Sequence, residues 1–187
     1  FNNQYHQNPF PKADKNSYEI RFWDGKKPAV RGKDVRIGFL TESAAPIDGY
    51  STVALPATEY AVFDVYVADG YDSGNAGMNK WLADNAAQYK QRMIDGVEFV
   101  VECYNKKFKG GDKPDSVIEI WIPVYRFCQS CYMPMTKPED FGTESNGSPS
   151  ADYCCHCYSN GDFIWGVDFN EFVEENIQFW RNGCKDD

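Results

Sequence analysis

The chain has 187 residues, 42% of them hydrophobic, and a formal net charge of −9. This length suits one well-packed core with a small appended module. The negative charge argues against binding to nucleic acid or to an anionic membrane surface, and no apolar run reaches the roughly 18 residues that a membrane-spanning helix requires. We therefore expect a soluble protein. Aromatic residues make up 16% of the chain, which favours either an aromatic core or a pocket for a flat organic ligand.

The first part of the chain has weak patterning. Residues 1–17 are polar and show no hydrophobic period, so they are predicted to form a loose lead-in. Alternating apolar residues predict a strand at 18–23 and a second, shorter strand at 35–40. No leading signal peptide is visible, which favours a cytoplasmic protein, although the chain begins at Phe1 and an N-terminal piece could have been removed.

The middle of the chain predicts the order strand, helix, strand, strand. Residues 50–67 are rich in β-branched and aromatic side chains, with an interruption at Pro56, which cannot donate to a strand ladder. The Gly-, Asp- and Ser-rich residues 69–77 predict a loop. A helix is predicted next, because the following residues share one helical stripe: Met78, Trp81, Leu82, Ala86, Tyr89 and Met93. Strands follow at 97–105 and 116–124.

Glu102 is the main candidate for a functional side chain in this region. Strand alternation places it on one face between Val100 and Tyr104, where a carboxylate is expected to be partly buried. A buried carboxylate needs a partner, a raised pKa or a cationic ligand. Alternatively, Glu102 faces solvent or pairs with a neighbouring lysine. We predict a site for an aromatic or cationic molecule from the following residues: Glu102, Tyr104, Trp121, Tyr60 and Tyr66.

The sequence offers little support for nucleophilic catalysis. The only histidines are His6, in the lead-in, and His156, inside a cysteine cluster, so no serine or cysteine has a credible histidine base. Phosphate-binding glycine loops and H-E-x-x-H motifs are also lacking. We therefore favour a protein that is not an enzyme. The alternative is a small hydrolase in which Glu102 acts as general base and Tyr104 donates a proton.

Two C-x-x-C pairs dominate the C-terminal part. Cys128 and Cys131 form the first pair, and Cys154 and Cys157 form the second after 22 intervening residues. Each pair presents two sulfurs to the same point, so we predict one structural Zn²⁺ held by these four thiolates, with His156 as an alternative to Cys157. Four thiolates leave no open coordination position for catalysis. Disulfides are the alternative, but the odd count of seven cysteines and their clustering favour metal.

The C-terminal part also predicts a last helix and a strongly acidic surface. The apolar face of this helix is predicted from Phe169, Phe172, Val173, Ile177 and Trp180. From Arg126 onward the sequence has four basic and eleven acidic residues, so we expect no direct binding to nucleic acid. A further alternative function is therefore a protein-interaction module whose acidic ribbon docks a basic partner.

Several of these motifs resemble known families. Residues 55–63 (LPATEYAVF), the helix with Trp81, residues 100–104 (VVECY) and residues 118–124 (IEIWIPV) are similar to the second half of GyrI-like effector-binding domains. Residues 128–143 (CQSCYMPMTKPEDFGT), with Gly147-Ser and Asp152-Tyr-Cys154, closely resemble a bacterial zinc-ribbon domain.

These resemblances imply an α+β fold with two domains. Residues 1–125 would form a GyrI-like antiparallel sheet of β-α-β-β repeats, although residues 1–50 are short for a complete first repeat, and residues 126–187 a four-cysteine zinc ribbon with a terminal helix. In GyrI-like domains, an acidic residue on the strand that matches Glu102 meets cationic or polyaromatic ligands in an aromatic pocket. Such domains often serve as sensors behind a DNA-binding part, and some relatives hydrolyse strained small molecules. We therefore expect a bacterial, cytoplasmic ligand-binding or sensor protein, which would need a further DNA-binding piece or partner to act as a transcriptional regulator.

Overall fold

The computed structural model describes residues 12–23, 35–42 and 49–164, together with positions 170–171, 173–174, 177–178 and 181. The chain divides into two compact units, Phe1–Tyr125 and Arg126–Asp187. Within the described residues, no helix is long and apolar enough to cross a membrane.

An antiparallel sheet forms the framework of the N-terminal unit. Its strands are β1 (Ser17–Trp23), β2 (Val35–Gly38), β3 (Glu59–Tyr66), β4 (Tyr89–Gln91), β5 (Met93–Ile94), β6 (Val97–Tyr104) and β7 (Val117–Phe127). The main strand order is β2-β1-β6-β7-β3, while β4 pairs with β7 and β5 with β6. The strand predicted at 50–67 therefore forms only from Glu59 onward.

The register of the strands sorts their side chains onto two faces. Val101 lies opposite Trp121, and Glu102 lies opposite Ile120, so these two pairs occupy different faces. The face of Ile120 packs against helix α1 (Gly70–Asp84) through a cluster that includes Val65, Met78, Ile118, Ile122 and Val124. We call it the helix face. The second face carries a smaller cluster formed by Tyr18, Phe99, Val101 and Cys103, with Trp121 packed against it.

Helix α1 begins and ends earlier than the sequence predicts. Residues 70–77 are helical, not a loop, while Tyr89 and Met93 belong to strands β4 and β5. Gly74 lies against the sheet, where an added Cβ would come within 2.7 Å of the Val65 side chain. The glycine that indicates a loop in the sequence is thus required for close packing of the helix on the sheet. Tyr89 still packs against the same hydrophobic cluster, which explains why it shares the apolar stripe.

The C-terminal unit consists of short strands around a small core. They are β8 (Pro134–Met135), β9 (Phe141–Thr143), β10 (Pro149–Cys154), β11 (Tyr158–Ser159) and β12 (Asp162–Phe163). Strand β8 pairs with Arg126 and Phe127, β9 with β10, and β11 with β12. Asn160 and Gly161 join the last pair with φ angles of 55° and 86°, the left-handed geometry of a two-residue hairpin turn.

Some predicted elements fall wholly or partly outside the described residues. The described positions between 170 and 181 are helical, and Val173 and Ile177 of the predicted apolar stripe are among them. Phe169, Phe172 and Trp180 lie outside the described residues. In the N-terminal unit, residues 24–34 and 43–48 also lie outside them, so an arrangement of two β-α-β-β repeats stays a prediction. What is observed is a mostly β chain with one long helix and a C-terminal cysteine cluster.

Candidate functional site

Four cysteines come together in the C-terminal unit. The sulfur atoms of Cys128, Cys131, Cys154 and Cys157 all lie within 4.8 Å of one another. The Sγ atoms of Cys131 and Cys154 are 3.6 Å apart. A tetrahedral zinc site with Zn–S bonds of about 2.3 Å places its sulfurs about 3.8 Å apart. The donor set and its spacing therefore fit one Zn²⁺.

Two tight turns hold these sulfurs in place. After strand β7, the N–H of Tyr132 donates to the carbonyl oxygen of Cys128 at 2.8 Å, and Tyr132 adopts a left-handed φ of 62°. After strand β10, the N–H of Cys157 donates to the carbonyl oxygen of Cys154 at 3.0 Å. Each C-x-x-C segment thus folds back on itself, so its two thiols point to a shared centre, as the sequence spacing implies.

The cluster is mostly buried and is prepared for negative charge. Cys128 and Cys154 are completely buried, whereas Cys131 is exposed. Burial raises the pKa of the Cys128 thiol, but backbone N–H donors, first among them that of Cys131, outweigh this effect and lower the pKa to about 7. Burial and the neighbouring Cys131 raise the pKa of Cys157. A divalent cation at the centre would balance the repulsion between adjacent thiolates.

Neither His156 nor disulfide bonding takes part in this geometry. Among the described residues, the group that could hold a metal includes Cys157 and leaves out the exposed His156. All six described cysteines are free thiols, including Cys155 between the two C-x-x-C ligands of the second pair. Cys103, in the N-terminal unit, is fully buried, and this burial raises the pKa of its thiol to about 11, which makes it unreactive near neutral pH.

Asp140 and Gly142 support the cysteine cluster, and sequence reasoning assigned neither of them a role. Asp140 Oδ2 accepts hydrogen bonds from the N–H groups of Thr136, at 2.8 Å, and Lys137, at 3.1 Å. The carbonyl oxygen of Asp140 also accepts the N–H of Cys155 at 2.8 Å. At Gly142 an added Cβ would lie 2.4 Å from a backbone carbonyl oxygen of strand β11, so only glycine fits there. Both residues lie in the D-F-G motif that carries the zinc-ribbon resemblance.

Comparison with known families supports this view of the C-terminal unit. Residues 127–186 match a family model described as "Putative zinc ribbon domain". The match covers about a third of the chain. No GyrI-like family model matched the chain, so that resemblance is not established for the N-terminal unit. A comparison with curated proteins found no match.

Glu102 is buried, as expected, and its partner comes from within the chain. Its side chain is only 2% exposed. Its carboxylate forms an ion pair with Arg21, whose Nε lies 2.6 Å from Glu102 Oε1, and accepts a 2.8 Å hydrogen bond from the Tyr104 hydroxyl. Arg21 also contacts Glu19 at 2.6 Å. A neighbouring lysine does not provide the counter-charge, and no cationic ligand is needed for this purpose.

The five residues predicted to share a ligand site are not brought together. Glu102 and Tyr104 lie on the helix face, whereas Trp121 and Tyr60 lie on the second face, with their ring centroids 6.2 Å apart. Tyr66 ends strand β3 and is 51% exposed. The reason is the strand register: because Val101, not Glu102, is opposite Trp121, the carboxylate and the indole point to opposite sides of the sheet.

A cavity of ≈ 370 Å³ lies on the second face of the sheet. Its floor is formed by Tyr18, Ile20, Val101 and Trp121, and its walls by residues 36–41 and 50–55. Trp121 is the only one of the five predicted ligand residues that lines it. Three contacts hold the indole. Its Nε1–H donates to Glu119 at 3.1 Å, and its ring contacts those of Tyr18, edge-on at 5.7 Å, and Tyr60, at 6.2 Å.

Sequence reasoning missed most of this cavity because its parts come from distant segments. Tyr18 is the second residue of β1, about 100 residues before Trp121 in the chain. Residues 50–55, which the sequence pattern assigns to a strand, lie before β3 and outside any strand. The high aromatic content and the prediction of Trp121 as a ligand residue are the signals in the sequence that pointed toward it. Its volume is at the small end of the usual range of ligand sites, about 300–1,000 Å³.

Proposed function

We propose that this protein binds a small, flat aromatic molecule in its N-terminal unit and that one Zn²⁺ keeps its C-terminal unit folded. The observation that carries the ligand-binding function is the aromatic cavity on the second face of the sheet. The zinc function is supported by four sulfurs within 4.8 Å of one another and by the family match of residues 127–186.

The role of zinc in this proposal is structural. Among its described residues, the C-terminal unit has a core cluster of four buried residues, Cys128, Met135, Cys154 and Cys157, with Met133, Phe141 and Tyr153 packed against it. Three of the four buried residues are cysteines, and small domains built in this way commonly depend on a metal. When bound, the ion would supply four Zn–S bonds in place of hydrophobic burial.

Metal analysis of the full-length protein tests the zinc function. We expect one zinc per chain in the wild type and loss of zinc in Cys131→Ser, together with loss of amide-exchange protection across 128–163. The matched control is Cys155→Ser, which removes a thiol that lies outside the four-sulfur group and should keep the metal. A Cys131→Ser protein that retains both its zinc and its exchange protection would contradict the proposal.

Ligand binding in the cavity is proposed without turnover. The hydrolase alternative requires Glu102 to act on a bound substrate, but this carboxylate is 2% exposed, already pairs with Arg21, and does not line the cavity. No observation therefore favours Glu102 and Tyr104 as a catalytic pair. A sensor role would follow if the bound molecule changed the association of this chain with a further DNA-binding part.

A fluorescent neutral aromatic, N-phenyl-1-naphthylamine, provides a direct test. We expect it to bind the zinc-loaded protein, to gain fluorescence and to quench tryptophan emission. Ala54 lies in the cavity wall, so Ala54→Trp should fill the space and weaken binding. Ala87→Trp places the same ring on an exposed turn and should leave binding unchanged. Equal binding by all three proteins would show that the probe does not use the cavity and would refute the proposal.

A further inference from the structure

The cavity on the second face contains one charged side chain among its described lining residues, and this residue is Arg36. Arg36 lies opposite Ile20 in the β1–β2 ladder, so both side chains project from the same face of the sheet as Val101 and Trp121. A guanidinium is therefore present at the edge of a mostly apolar and aromatic space, whose lining also includes Thr41, Ser51 and Thr52.

Arg36 has no partner among the residues that the structure describes, unlike Arg21, Arg92 and Arg126. It forms no ion pair and no side-chain hydrogen bond with any residue that the structure describes, and its side chain is exposed. Arg21, by contrast, is engaged by Glu19 and Glu102. A planar guanidinium offers two parallel N–H donors, which match the geometry of a carboxylate, sulfonate or phosphate.

Charged residues of both signs lie near the cavity. Asp14 accepts a hydrogen bond from the hydroxyl of Tyr18, which lines the floor. Lys12 Nζ lies 5.4 Å from the centroid of the Phe39 ring, which lines the same cavity. The acidic side chain next to Trp121 is Glu119, and Lys107 neutralises it through a 2.8 Å ion pair. Salt screens exposed charges that lie more than about 8 Å from Arg36 at physiological ionic strength, which limits the effect of the chain's net charge of −9.

We infer that the ligand of this cavity is an aromatic anion, whose ring packs on Trp121 and Tyr18 and whose acidic group pairs with Arg36. This inference rests on the proposed ligand-binding function and specifies its ligand class. It replaces the cationic ligand predicted from Glu102, because Glu102 lies on the other face and has its own counter-ion. The shared chemistry is a planar apolar ring system that bears one carboxylate, sulfonate or phosphate.

Two probes with the same ring skeleton test the inference. The anionic probe is 8-anilino-1-naphthalenesulfonate, and its neutral counterpart is N-phenyl-1-naphthylamine. We expect the sulfonate to bind the wild type more tightly, and Arg36→Met to weaken sulfonate binding on the order of 10- to 100-fold while changing neutral-probe binding little. Arg36→Lys should recover part of the loss, and added salt should reduce the difference between the probes.

Lys90→Met is the matched control, because it removes one positive charge from an exposed strand position outside the cavity. It should leave both affinities unchanged, and thermal unfolding of every variant should confirm that it is folded. If both probes bind equally, or if a trimethylammonium analogue binds best, the anion inference is overturned while the cavity function stands. If Ala54→Trp weakens the binding of neither probe, the proposed cavity function is refuted, and the inference about its ligand is refuted with it.

Discussion

Removal of Arg21 provides the sharpest test of how the N-terminal unit accommodates a buried carboxylate. The substitution Arg21→Met keeps a side chain of similar length but deletes the guanidinium that lies 2.6 Å from Glu102. The carboxylate would stay 2% exposed, held by the Tyr104 hydroxyl alone and placed near a second acid, Glu19. We therefore expect a substantial loss of folding stability.

The magnitude follows from the exposure of the two partners. Breaking a buried ion pair by removing one partner typically costs about 3–5 kcal/mol. Because the Arg21 side chain is 45% exposed, water can reach one side of the pair, so we expect a cost of about 2–3 kcal/mol, at or just below the lower limit of that range. In Glu102→Gln no buried carboxylate charge remains and water can solvate the Arg21 guanidinium, so the expected loss of folding stability is about 1 kcal/mol.

Urea unfolding of the zinc-loaded protein at pH 7 measures these differences, with amide exchange in strand β6 reporting on the N-terminal unit. The double variant Arg21→Met/Glu102→Gln should be more stable than Arg21→Met, because it removes the uncompensated charge. The control Lys80→Met breaks an exposed pair with Asp84, whose side chains are 75% and 56% exposed, and should cost less than about 0.5 kcal/mol. If Arg21→Met is no more destabilising than this control, or the double variant shows no recovery, the reasoning is refuted.

Two further changes test the packing and the electrostatics of the same unit. Gly77→Ala fills open space on helix α1 and should stabilise the protein by up to about 1 kcal/mol through helix propensity. Gly74→Ala, three residues earlier, should instead destabilise the protein by about 1–2 kcal/mol, because the added methyl group would overlap a buried valine of β3. Thermal unfolding midpoints measure both stability changes, and equal shifts of the two variants would contradict the observed packing. The hydrogen bond from Lys107 holds the pKa of Glu119 below its usual value. Ionised Glu119 therefore contributes to folding stability above its unfolded pKa of about 4.3, and this contribution is lost as the pH falls through the lower folded pKa. Glu119→Gln should therefore lower stability by less than about 1 kcal/mol at pH 7 and have no effect in strong acid, and a difference that persists at pH 2 would exclude this ion pair as its source.

The cysteine cluster could be predicted from sequence because its information is local. A C-x-x-C turn brings its two sulfurs together over four residues, so only the meeting of two such turns had to be inferred. The zinc-ribbon motif also includes Asp140 and Gly142, but their roles depend on contacts with the segment that follows β8 and with β11, whose positions no periodicity revealed. Local spacing identifies donor atoms, whereas the framework that holds them is non-local.

The strands of the N-terminal unit were recognised more accurately than its helix. Alternation located β6 and β7 within a few residues, because buried strands carry dense β-branched patterns. Helix α1 was displaced toward the C-terminus because its first half is rich in Gly, Asp, Ser and Asn, all of which are more common in loops. Packing against the sheet overrides these weak preferences, as the contact between Gly74 and Val65 shows.

The partner of Glu102 could not be predicted, because it depends on pairing between distant strands. The sequence correctly implied that a mid-strand carboxylate would be buried and would need compensation. Arg21 supplies it from β1, which lies beside β6 although about 80 residues separate them in the chain. Sequence patterns place side chains on alternate faces within a strand, but they do not say which residues of two strands stand opposite each other.

Register also determines the charge of the ligand that we expect. A shift of one residue between β6 and β7 would place Glu102 beside Trp121 and produce the cation site that the sequence suggested. The observed register places Glu102 on the helix face, where Arg21 neutralises it. The aromatic cavity is left with Arg36, which has no partner among the residues that the structure describes. The same residue types thus support opposite ligand classes, and the choice between them depends on a single geometric parameter of the sheet.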